Sequence, residues 1–185
     1  MSSRIARLVQ NYERHASIPW PTNLAGPQRV WFAVYDKNDE RRVRARVGEF
    51  EIATARAGHS WSLVDVTNSF PVWLAADEYR DKYFRNPKAL DIAMDEFLEC
   101  VADQVRGALQ AADANTVVAI LGVGALFGFV RVSDLVKEID KDVRGRLLVL
   151  FPGSYENNVY RLLDARDGWN YMAIPITSDD GHTAP

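Results

Sequence analysis

The residues best suited to recognition lie together near the C-terminus, in FPGSYENNVYRLLDARDGWNYMAIPI, Phe151 to Ile176. Tyr155, Asn157, Asn158, Tyr160, Arg161, Trp169, Asn170 and Tyr171 crowd this stretch with side chains that bury surface and also hydrogen-bond. Such density builds either a self-satisfied buried polar cluster or a recognition surface. None of these residues is a catalytic base or nucleophile in a recognisable arrangement, so the segment points to binding. The residues expected to meet a partner are Tyr155, Glu156, Asn157, Asn158, Arg161, Arg166 and Trp169. Asn157 and Asn158 can hold left-handed positions and bond local backbone, while Arg161 and Arg166 can pair with Glu156, Asp164 or Asp167. A structural edge hairpin pinned by these side chains is the plainer reading, and the two are compatible.

Elsewhere the chemistry is thinner. Gly122, Gly124 and Gly128 follow an apolar run at a spacing close to that of a dinucleotide-binding turn, where glycines let a pyrophosphate approach a helix N-terminus. The turn comes late in the chain, however. The residues between the glycines are apolar, and no Lys-Ser/Thr follows. Close packing of a strand under a helix is therefore the preferred explanation of the glycines, ahead of a degenerate nucleotide pocket. His15, His59 and His182 have no partner at helical metal-ligand spacing. Ser154 lacks the surroundings of a hydrolase nucleophile. Cys100 falls beside an apolar helical stripe and reads as a buried structural thiol. Asp65, at a strand end, and the scattered Asp140, Asp142, Glu156, Asp164 and Asp167 read as caps and turn residues. No catalytic residue, cofactor or metal ligand is assigned.

The elements that must position these groups alternate. Ile5, Leu8, Val9 and Tyr12 make the apolar stripe of an N-terminal helix. Pro19, Pro21 and Pro27 enforce an ordered linker with Trp20 tucked into the body. Buried strands are expected at Arg29–Tyr35, Trp61–Val66, Asn115–Leu121 and Arg146–Phe151. A helix capped by Asp36 runs over 37–57 and ends at Gly58. After a short helical region at 67–84, a long helix over 87–112 buries Leu90, Met94, Phe97, Val101, Val105 and Leu109. Another helix starts at a Ser133 cap. Pro152-Gly153 turns the chain, and Tyr160–Leu163 pairs antiparallel with Tyr171–Ile176 across Asp167-Gly168. The strand–helix–strand unit from Arg29 to Val66 has the spacing of a parallel crossover. The expected fold is a single-domain three-layer α/β/α sandwich over residues 1–177, with a mostly parallel sheet and an antiparallel C-terminal edge. Residues 178–185 form a flexible tail.

Composition narrows the function classes. The chain has 185 residues, 22 basic against 25 acidic, for a net charge of −3. That balance does not favour unaided DNA binding. Arg accounts for 17 of the basic residues, and the Arg41–Arg46 helix is the one place where a nucleic-acid contact would fit. One cysteine excludes an intramolecular disulfide. The charged N-terminus is unlike a signal peptide, and the longest apolar run, Thr116 to Val130, falls short of the roughly 20 residues a spanning helix needs. A cytoplasmic protein is expected.

The Phe151–Tyr171 string resembles the signature of BrxB, a component of the bacteriophage exclusion (BREX) defence systems of bacteria. IPWPTNLAGPQRVWFAVYD, VGEFEIATARAGHSWSLVDVT and VVAILGVGALFGFVRVSDLV agree with it, so the likeness runs through the chain to about Ile176. In such systems a methyltransferase marks host DNA, an ATPase is present, and PglZ is a phosphatase-fold protein. The resemblance implies an accessory component that neither methylates nor hydrolyses ATP, and that acts by protein–protein interaction with PglZ and other BREX components. No membrane and no small-molecule substrate are expected, and the resemblance carries over no catalytic residue. The alternative from the residues alone is a degenerate nucleotide-binding or nucleic-acid-contacting α/β module.

Overall fold

Long apolar runs in a chain of this size are best buried as parallel strands with both faces covered. In the structure, a computed structural model describing residues 3–165 and 168–179, that is what they do. The order of elements is α1 (Arg4–Ala16), β1 (Val30–Tyr35), α2 (Glu40–Ala45), α3 (Val47–Arg56), β2 (Ser60–Asp65), α4 (Ser69–Ala76), α5 (Arg80–Arg85), α6 (Met94–Ala111), β3 (Thr116–Leu121), α7 (Val132–Ile139), β4 (Arg146–Glu156), β5 (Val159–Leu162) and β6 (Ile174–Ile176). The sheet runs β2-β3-β4-β1-β6, all parallel, with β5 attached to β4 outside that path. Every residue of β1 and of β3 is buried.

Alternation along the strands divides the core. Phe32, Val118, Ile120, Leu147, Val149 and Phe151 face α6 and α7. Trp31, Ala33, Val117, Ala119, Leu148 and Leu150 face α1 and α3. The three expected layers and the mostly parallel sheet are present. Among the described residues no helix is long and apolar enough to cross a membrane.

Several local expectations hold. Ile5, Leu8, Val9 and Tyr12 are buried on α1. The Asp36 side chain accepts the Asn38 N–H at 2.8 Å. Gly58 ends α3 at φ 85°, the left-handed position that glycine adopts without strain. Trp20 donates to the Ala16 carbonyl at 3.2 Å, stacks on His59 at 3.6 Å and receives the buried Arg146 guanidinium 4.7 Å from its ring.

Others are corrected. The helix expected over 37–57 breaks at Arg46, whose φ of −117° is not helical. The Arg46 guanidinium bonds both Glu49 oxygens and the Ser3 hydroxyl, which ties the start of α3 to the cap of α1. The bend lays Phe50, Ala53 and Thr54 against α1. Regular α6 begins only at Met94, after a 3-10 segment from Pro87 to Ala93, so Leu90 and Met94 are only partly buried. Cys100 is exposed, because the buried stripe passes through Phe97, Val101 and Val105 and leaves position 100 on its outer side. Ser133 lies inside α7 rather than capping it.

The largest correction concerns the C-terminal edge. Pro152-Gly153 does not turn the chain. β4 continues to Glu156 and reverses at Asn157 and Asn158, both left-handed at φ 50° and 63°. β5 therefore pairs antiparallel with the end of β4, Gly153 opposite Leu162 and Glu156 opposite Val159. The primed two-residue turn matches strand twist, so the reversal falls at the first Asn-Asn pair the chain meets. Gly153 is small because a Cβ there would stand 2.0 Å from the Arg161 carbonyl. β6 instead runs parallel to β1, Trp31 opposite Ile174. Of the tail expected at 178–185, residues 180–185 lie outside the described residues.

The tie between α1 and α3 gives a measurable expectation. The Tyr12 and Thr54 hydroxyls lie 2.6 Å apart in the core, and Thr54 also donates to the Phe50 carbonyl. Tyr12→Phe removes one buried hydrogen bond while leaving Thr54 a partner, so chemical denaturation should show a loss of about 1 kcal/mol with an unchanged m-value.

Candidate functional site

In parallel α/β sheets, ligands gather outside the carboxyl ends of the strands. Two constructions occupy that edge here. The first is a polar network. Tyr35, at the end of β1, donates to Glu40 at 2.6 Å. Arg44, on α2, reaches Glu40 at 3.2 Å, Asp65 at 2.8 Å and the Thr67 hydroxyl at 2.7 Å. Asp65, at the end of β2, accepts the Thr67 N–H at 2.9 Å and the Thr67 hydroxyl as well.

Each charge in this network has a partner. Partial burial works against the Asp65 carboxylate, but the Thr67 hydrogen bonds and the Arg44 charge outweigh it and hold its pKa below the usual range. Burial first, then the bond to Glu40, pushes the Tyr35 phenol above its usual value. Gly122, at the end of β3, closes the network at φ 89°. A Cβ there would lie 2.2 Å from the Thr67 hydroxyl and 2.9 Å from Asp65. The glycine-rich turn thus makes its close approach to the protein's own Asp65–Thr67 turn. Two carboxylates and one guanidinium give this corner a net negative charge, which does not invite a phosphate.

The second construction is the β4–β5 hairpin. It overhangs the sheet on an aromatic base in which Tyr160 is wholly buried. The Tyr160 ring lies 4.7 Å from Phe32, 4.6 Å from Tyr155 and 5.2 Å from Trp169. Tyr160 donates to the Ala173 carbonyl at 2.9 Å, and its backbone exchanges both hydrogen bonds with Trp169. Tyr171 donates to Asp140 at 2.7 Å. Burial, led by the loss of water around each ring, pushes both phenols well above their usual pKa. Lys37 pairs with Asp164 and ties the hairpin to the loop after β1.

The residues expected to meet a partner separate into two groups. Tyr155 packs on Tyr160 and donates to Asn158 at 2.8 Å, so it braces the turn. Trp169 is part of the aromatic base and lines a cavity. Glu156, Asn157 and Asn158 are exposed at the hairpin tip, with Arg161 half-buried below them. Glu156 and Arg161 have no ion pair among the described residues. Arg166 lies outside the described residues.

The cavity, about 420 Å³, separates Phe127–Ser133 from Leu162, Ala165, Gly168 and Trp169. Its volume and mostly apolar lining suit a side chain or short segment of a partner. The sequence does not reveal the wall at Phe127–Ser133, because Phe127–Phe129 read as the tail of a glycine turn and Ser133 as a helix cap. Their signal was the aromatic pair Phe127 and Phe129 on either side of Gly128, whose φ of 84° bends the chain there. Among the described residues no group of three or more His, Cys, Asp or Glu side chains is placed to hold a metal ion.

A family model described as "BREX protein BrxB" matches residues 76–176, which is more than half of the chain and includes the hairpin and both walls of the cavity. No curated protein and no solved structure matches.

The strand-end network predicts two outcomes. Gly122→Ala combines a strained left-handed residue with a clash against Thr67 and should cost about 2–4 kcal/mol in chemical denaturation. Asp65 has a folded-state pKa below its unfolded value, so its stabilisation is present above roughly pH 4 and is lost as pH falls through the folded value. Asp65→Asn should therefore melt below the wild type at neutral pH, with the gap narrowing in acid. A gap that stays constant with pH would show that the carboxylate charge does not matter there.

Proposed function

The chain belongs to the BrxB family of BREX phage-defence proteins, and from that premise we propose that it acts without catalysis, by binding the PglZ component. The observation that carries this reading is the hairpin beside the cavity. Its base is packed and self-satisfied, while its tip presents Glu156, Asn157 and Asn158 to solvent and its flank presents Trp169 and an apolar cavity. Rigid aromatic anchors ringed by polar groups are what protein recognition uses. The strand-end network supports the non-catalytic part, because Glu40 and Asp65 are already engaged by Tyr35, Arg44 and Thr67. A general base needs a free lone pair aimed at a substrate proton.

Co-expression with PglZ of the same BREX system should yield a co-purifying complex and a shift on size exclusion. Glu156→Lys combined with Arg161→Glu reverses both hairpin charges without touching the aromatic base. It should weaken the complex at least tenfold by calorimetry while leaving the melting temperature of the free protein unchanged. Absence of any complex with the wild-type chain would refute PglZ as the partner.

A further inference from the structure

A second surface is visible far along the chain from the hairpin. Between the buried residues Val66 and Ala93 lie 26 residues, 67–92, without one buried side chain. The stretch is nevertheless ordered as α4, α5 and a 3-10 segment. It is held at its root, where Phe70 stacks on Phe129 at 3.8 Å and Trp73 lies 5.3 Å from Phe97. Beyond that root it turns large apolar groups outward: Val72 at 67%, Tyr79 at 57%, Phe84 at 71% and Ile92 at 85% exposure. The α1, α6 and α7 helices each bury an apolar stripe, whereas α4 and α5 hold no fully buried residue and only Phe70 and Trp73 of them pack on the core. Ordering backbone without burying apolar surface is unfavourable, and clustered exposed apolar groups mark contact surfaces.

The charge around Phe84 says what would cover it. From Arg80 to Lys88 four cations stand against the single carboxylate of Asp81, in a chain whose net charge is −3. Lys82, Arg85 and Lys88 have no ion pair among the described residues. These unpaired cations flank Phe84. The complementary occupant carries carboxylates beside an apolar side chain. A nucleic acid fits less well, because Asp77, Glu78, Asp91, Asp95 and Glu96 border the basic run on both sides.

We propose that residues 67–92 form a docking arm for an acidic, amphipathic segment of a partner protein. The inference rests on the reading that this chain works by binding protein, but not on the identity of PglZ or on the hairpin. The Phe70–Phe129 stack joins the arm to a wall of the cavity, since Phe129 lines it.

The test uses the full chain within a complete BREX system. Two variants, Lys82→Glu/Arg85→Glu/Lys88→Glu and Phe84→Ser, are compared with the wild type for phage restriction, after melting curves confirm that both fold. Each should lower restriction at least tenfold, and a photo-crosslinker replacing Phe84 should attach to an acidic segment of another BREX protein. Wild-type restriction by both variants would overturn the arm. So would a crosslink to a second copy of this chain, or duplex-DNA binding by the wild type that the triple variant abolishes. Loss of restriction in the arm variants, with no PglZ complex at all, would refute PglZ as the partner and leave the arm standing.

Discussion

Burial of β1, β3 and β4 on both faces is the constraint from which the rest follows. A strand covered on one side only can alternate polar and apolar residues. One covered on both sides must be apolar throughout, and its side chains then divide between two helix layers by parity. Phe32 and Trp31 are neighbours in sequence yet belong to opposite halves of the core. A shift of one residue between β1 and β4 would exchange those halves and place Trp31 where Phe32 meets Phe151, Tyr160 and Trp169.

Parallel strands also put their carboxyl ends at one edge. That geometry gathers Tyr35, Asp65 and Gly122, from three separate strands, around Arg44. The same geometry lets β4 overrun its neighbours. Beyond Pro152 it has no parallel partner left, so its free backbone groups are satisfied by folding β5 back on it. The hairpin is thus a consequence of one strand being longer than the sheet it belongs to. Its aromatic base is the continuation of the core face that contains Phe32.

This division explains how one edge can be both saturated and open. At the ends of β1 to β3, Arg44 reaches Glu40, Asp65 and Thr67 while Gly122 lets the Asp65–Thr67 turn pack close, so donors and acceptors engage one another. At the hairpin, bulky rings fill the base, and Glu156 and Arg161 have no ion pair among the described residues. The arm at 67–92 is a further departure from self-sufficiency. It is held at its root by aromatic stacking, and among the described residues its outer face has no covering layer.

Much of this was legible in the sequence. The apolar runs that became β1, β3 and β4, the stripe of α1, the Asp36 cap and the left-handed Gly58 all follow from local periodicity and backbone preference. The aptitude of Asn157 and Asn158 for left-handed positions was legible too, but not that they form the turn. Such preferences depend on neighbours within a few residues, which the sequence displays directly. Which strand would receive β5, why Gly122 must be glycine, that Cys100 faces water, and that Phe127–Ser133 stands across a cavity from Trp169 depended on pairs distant in the chain. Periodicity says that a face is apolar but not what will cover it. That choice belongs to the tertiary structure, because packing is a relation between surfaces and each surface is completed only by the other.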